Sequence, residues 1–202
     1  GDRTGSHWFG VMEPATIGGL PISIGTSPSN TATQAGPNFA SGRFDPGVSN
    51  RLTTINVSPF VKFKGLEIQG GVDLISGSVY GDTLRTAGTL AWEKRAWTQI
   101  YGEAVYRFLK NEELFIGARF VQATGEPSGM RYGANDVALG FTSGSQAKVN
   151  INRFSVSAGY FPTKNMLLKV EYNSQKYKDF PWADYRHEGI ISGFMVEAVI
   201  GF

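Results

Sequence analysis

Apolar side chains recur at every second position through much of the chain after residue 52, with polar and charged residues between them. A period of two is the signature of a strand whose two faces meet different surroundings. In the segment 55–63, Ile55, Val57, Val61 and Phe63 share one face, and after Lys64-Gly65 the run Leu66 to Leu74 alternates as strictly. A two-residue turn at Lys64-Gly65 pairs Phe63 with Leu66, Val61 with Ile68, Val57 with Val72 and Ile55 with Leu74. All four pairs fall on the same face, so the register is self-consistent.

The pattern repeats. Ile100, Gly102, Ala104, Tyr106 and Phe108 alternate against Gln99, Tyr101, Glu103, Val105 and Arg107. Leu114, Ile116, Ala118 and Phe120 lie opposite Arg119, and Phe154, Val156, Ala158 and Tyr160 lie opposite Arg153, Ser155 and Ser157. Met166, Leu168, Val170 and Tyr172 oppose Lys169, Glu171 and Asn173. A last strand sets Phe194, Val196, Ala198, Ile200 and Phe202 against Glu197. No long segment has helical periodicity. The connections alternate in length: Lys64-Gly65, residues 110–113 and 162–165 are short, whereas 76–95, 124–148 and 178–188 are long and rich in Gly, Ser, Asp and Pro.

Composition narrows the choice of class. The 202 residues suffice for one domain, and no apolar run approaches the roughly 18 residues of a membrane helix. A membrane strand needs only about 10 residues, half of them polar, so modest hydropathy leaves a barrel open. With no cysteine, a thiolate nucleophile, a Cys-ligated zinc site and a disulfide framework are excluded. The net charge of +2 and the lack of a basic stripe interleaved with aromatics argue against nucleic acid as a partner. The sequence carries no signal peptide and starts at Gly1, as a mature form or a piece of something longer would.

These features predict an all-β fold: an antiparallel transmembrane β-barrel of the bacterial outer membrane, with residues 1–202 as a single barrel domain or the C-terminal part of one. A soluble β-sandwich also alternates. Against it stand Arg, Glu and Lys at mid-strand, and aromatics such as Trp97, Phe108, Tyr160 and Phe161 gathered near strand ends. The terminal Phe202 resembles the sorting and assembly signal of outer-membrane barrels, which implies the barrel-assembly machinery as a partner beside outer-membrane lipid.

About seven strands are legible, whereas bacterial single-chain barrels use even numbers. An eighth could lie at His7 to Met12, followed by the long segment 13–51, which is punctuated by Gly-Gly, Ser-Pro, Gly-Pro and Asp-Pro. The chain is either an eight-stranded barrel with one very large loop or the C-terminal part of a wider barrel. The runs 104–108, 114–120, 152–154, 159–165, 169–172, 193–199 and 38–44 resemble the C-terminal region of porin-like outer-membrane proteins of Bacteroidota, a Gram-negative phylum. That family is longer than this chain, so the resemblance implies the wider barrel, with further N-terminal strands.

The expected function is passive diffusion of small hydrophilic solutes through a charge-lined channel. The inward set is Lys62, Glu67, Asp73, Glu103, Arg107, Arg119, Arg153, Lys169, Glu171 and Glu197, with both signs nearly equal. Mixed charge suits a transverse field across water and gives no strong ion selectivity. Segment 13–51 is a lumen-constricting or extracellular loop, with Arg43, Asp45 and Arg51 as its charges of interest. In a narrow barrel of about eight strands the interior charges instead fill the lumen as salt bridges, and the protein is an anchor, adhesin or loop-display scaffold. A hydrolase or acyltransferase at the rim is a distant third. His187 lies near Asp184 and Glu188, but G-x-S-x-G is absent and the spacing matches no motif. No catalytic residue, metal ligand or cofactor is expected, and an oligomer is compatible with the pattern.

Overall fold

The computed structural model describes residues 16–17, 20–21, 50–80, 92–109, 111–127 and 130–201. Two short strands, β1 (Thr16–Ile17) and β2 (Leu20–Pro21), pair with each other. The rest is one antiparallel sheet built from β3 (Asn50–Val57), β4 (Phe60–Phe63), β5 (Leu66–Tyr80), β6 (Trp92–Phe108), β7 (Leu114–Gly125), β8 (Val149–Thr163), β9 (Met166–Lys178) and β10 (Ile190–Ile200). Each strand pairs with its sequence neighbours, except that β3 and β4 both pair with β5. The fold is all-β, with a single short 3-10 turn at Ala134–Leu139 among the described residues. Among those residues the sheet does not close; β10 and the β3/β4 line are its two edges.

The first hairpin has the expected register: Phe63 faces Leu66, Val61 faces Ile68, Val57 faces Val72 and Ile55 faces Leu74. Lys64 and Gly65 both have positive φ, +47° and +81°, the conformation of a type I′ turn whose twist matches the flanking strands. A Cβ at Gly65 would stand 2.6 Å from the Arg107 carbonyl oxygen, which only glycine allows. Strands β3 and β4 are one line interrupted by Ser58-Pro59. Proline cannot donate to the ladder, so the Gly70 amide bonds Pro59 O at 3.1 Å while the Ser58 hydroxyl reaches the Gly70 carbonyl at 3.4 Å.

The strands run further than their apolar alternation. β5 continues to Tyr80 and β6 starts at Trp92, inside the stretch 76–95 expected as a loop. β8 continues to Thr163, which shrinks that connection to Lys164-Asn165. Asn50 and Arg51, expected as the end of the loop 13–51, already belong to β3, where a bulge puts Arg51 at φ +50°. The meander places the short connections at one end of the sheet and the loops that join β7 to β8 and β9 to β10 at the other.

The two faces differ sharply. One holds exposed apolar side chains, among them Ile116 at 52%, Val170 at 43% and Val196 at 82% exposure. The other is polar over most of its height. The buried core sits at the long-loop end of this second face, where Ile75, Trp97, Val121, Ala123, Ile151 and Tyr177 pack against Tyr132, Ala147 and Phe180.

Candidate functional site

Cross-strand partners point to the same side of a sheet. The pairs Lys62–Glu67, Glu103–Arg119, Arg119–Ser155, Ser155–Asn173 and Lys169–Glu197 therefore place their side chains together. By the same parity all ten residues read as inward lie on this one face. Near the turn end, Lys62 meets Glu67 at 2.9 Å, Arg107 meets the same carboxylate at 3.2 Å, and Lys62 also reaches Glu112 at 3.4 Å. Arg119 lies 3.7 Å from Glu103 and 5.9 Å from the Tyr101 ring centroid. Lys169 bridges Glu171 at 2.6 Å and Glu197 at 3.9 Å, while Arg153 stands 3.8 Å from Glu171. Asp73 is buried and has no cation in this set; Gln99 donates to it at 2.6 Å and Asn56 donates to its other oxygen.

Glycines across from aromatics shape the same face. Trp97 pairs with Gly125, Phe115 with Gly159, and Tyr101 with Gly71. A Cβ at Gly125 would meet Trp97 Cδ2 at 2.2 Å, and one at Gly159 would meet Phe115 Cε1 at the same distance. Each ring thus lies flat over a strand that offers no side chain, the arrangement known to rescue glycine in sheets.

Two loops cover the long-loop end. Segments 126–148 and 179–189 meet at Asp136, which is 1% exposed. Its carboxylate accepts the Gly133 amide at 2.6 Å and the Trp182 amide at 2.7 Å, joining one loop to the other. The Tyr132 hydroxyl lies 3.1 Å from Lys148 O and 3.0 Å from Asp179 O, and its ring stacks on Phe141 at 4.1 Å. Burial pushes the Tyr132 phenol above its ordinary value, keeping it a neutral donor. Cap and strands together bury seven aliphatic and aromatic inner-face side chains, Val149 among them, the larger ones contributing on the order of 1.5–3 kcal/mol each.

The remaining expected residues are scattered. Arg43, Asp45 and Phe202 lie outside the described residues, as does the stretch His7 to Met12. Arg51 is exposed at the β3 bulge. His187 gives its Nδ1 to the Phe180 carbonyl at 2.7 Å, and Asp184 is engaged by Arg186 at 2.8 and 2.9 Å. No group of three or more His, Cys, Asp or Glu side chains suited to a metal ion occurs among the described residues. The cap was not legible as such, yet Trp97, Val121, Ile151 and Tyr177 carry a signal for it: large apolar residues on the face that is otherwise charged.

No family model, curated protein or solved structure matches the chain.

Proposed function

We propose that this sheet is part of the wall of an antiparallel transmembrane β-barrel in the bacterial outer membrane, a porin-like channel for passive diffusion of small hydrophilic solutes. The observation that carries the reading is the composition of the outward face. From Leu66, Tyr106, Ile116, Tyr160 and Leu168 at the turn end to Leu74, Ile100, Phe120, Phe154 and Tyr172 at the other, outward positions hold only apolar side chains, aromatic rings or glycine. A soluble sheet with one wet face would present polar groups there, and an exposed apolar surface this wide marks a membrane or a partner. Leu66 to Leu74 covers about 27 Å along the strand at about 3.4 Å per residue. A strand tilt of about 40° shortens that to about 20 Å, close to the roughly 25 Å apolar band of outer-membrane barrels.

The charges of the opposite face support a water-filled interior, since unscreened ion pairs of this number gain little from burial in a dry one. Sequence resemblance to porin-like proteins of Bacteroidota points the same way, with more strands completing the wall between β10 and β3/β4. The mechanism needs no cofactor: polar side chains replace bulk water along the path while the apolar face replaces contacts with lipid.

A second reading, a narrow closed barrel serving as anchor, adhesin or loop-display scaffold, draws on the cap. Segments 126–148 and 179–189 fill the inner face at the long-loop end, as a plugged lumen would require. Single-channel recording of the full-length protein in planar bilayers separates the two. Stepwise ohmic conductance that changes when Arg107 or Arg119 is neutralised is expected for the channel. Silence from folded, heat-modifiable protein selects the scaffold.

A further inference from the structure

We propose that this wall does not select by charge and so serves net-neutral, hydrogen-bonding solutes such as sugars and polyols as well as ions, because Lys62, Arg107, Arg119, Arg153 and Lys169 each lie beside a carboxylate of the same wall; the proposal rests on the channel reading above. A transverse field needs the two signs on opposite sides of the lumen. Here they are interleaved. Lys62, Arg107, Arg119, Arg153 and Lys169 each lie within 4.0 Å of a carboxylate on this same sheet. That separation is well inside the roughly 8 Å screening length at physiological salt. Seen from the lumen, such pairs are short dipoles whose field fades within a few ångströms, so an ion of either sign is neither drawn in nor turned away. The unpaired carboxylate of Asp73 is held by two amides instead, and is 8% exposed.

The spaces between the pairs hold groups that exchange hydrogen bonds without charge. Gln69 sits by Ser58 at 3.5 Å, both exposed, and the half-buried Asn173 accepts from Ser155 at 2.5 Å. Amides and hydroxyls can trade these contacts for those of a polyol, as they do for water. Glu103 and Arg119 are the decisive pair: at 37% and 45% side-chain exposure both are open to solvent in mid-strand.

Reversal potentials in a potassium chloride gradient test this in the full-length protein. Glu103→Gln leaves Arg119 uncompensated and is expected to shift the potential toward chloride. Arg119→Gln is expected to shift it toward potassium, and the double variant to return to the wild-type value. The prediction concerns differences between variants, so the charges of other strands cancel from it. If either single variant fails to insert, Glu197→Gln, on the exposed side of Lys169, replaces it, with a shift toward chloride expected. Shifts of one sign, no shift, or a double variant that stays displaced would overturn the proposal while leaving a channel. Absence of conductance from wild-type protein would remove the channel reading and this proposal with it. Entry of arabinose into proteoliposomes should be the same for wild type and double variant; a loss in the double variant counts against neutral solutes as the class served.

Discussion

At the scale of single residues, the inner face is governed by two kinds of close fit. The first is ring over glycine. Trp97 is 1% exposed and cannot swing away, so Gly125→Ala forces the indole or the strand to move from a 2.2 Å overlap. The expected cost is about 1–3 kcal/mol, the usual range for overpacking, read as a lower urea midpoint in lipid vesicles. The second fit is the Asp136 staple. Asp136→Ala leaves two amides without their acceptor, and a loss of about 2–4 kcal/mol in cap stability follows from the usual price of orphaned polar groups near a charge. Proteolysis after Arg186 should become faster without a change in the strands. Tyr132 adds a pH dependence. Its phenol is held above the ordinary value, so its contribution is fully present below about pH 10 and fades as pH rises through the folded value. Protection of the amides in 179–189, measured against the intrinsic base-catalysed exchange rate, should therefore fall in alkali in the wild type but not in Tyr132→Phe.

At the scale of the element, alternation was legible wherever one face is apolar and the other charged, and failed where that contrast reverses. The β4–β5 hairpin could be read to the residue because Lys64-Gly65 fixed the register and four apolar pairs agreed on a face. The ends of β5, β6 and β8 were hidden for a physical reason. Above Leu74 and Ile100 the outward positions become Ser76 and Thr98, while the inward ones become Ile75 and Trp97, so the pattern inverts under the cap. An inverted strand looks like a loop to a reader who follows one apolar stripe. That the ten charged residues share one face was legible from parity alone, whereas their pairing was not, since cross-strand neighbours such as Arg107 and Glu67 are 40 positions apart. Asp136 carries no sequence signal at all; its role comes from two loops that meet only in three dimensions. A charge placed on the apolar stripe tests the element directly. Ala118→Arg or Val170→Arg should cost about 2–4 kcal/mol near a bilayer midplane. The same change at Ser174, above the stripe, should cost far less.

At the scale of the whole molecule, the sheet is a two-sided wall with unfinished edges. One side carries an unbroken apolar stripe, the other carries ion pairs and, at one end, a folded cap. Its reading as part of an outer-membrane channel requires that neighbouring residues on one strand meet lipid and water in turn. The chain contains no cysteine, so single-cysteine variants report without background. The most direct test is a thiol-labelling scan along β7, at Ile116, Gly117, Ala118, Arg119 and Phe120, in protein reconstituted into lipid vesicles. The account predicts that a charged, water-soluble reagent modifies positions 117 and 119 and spares 116, 118 and 120, with a lipid-soluble quencher showing the reverse. Equal labelling of both sets by the water-soluble reagent would contradict it, for the apolar face would then be in water and the wall would not lie in a membrane.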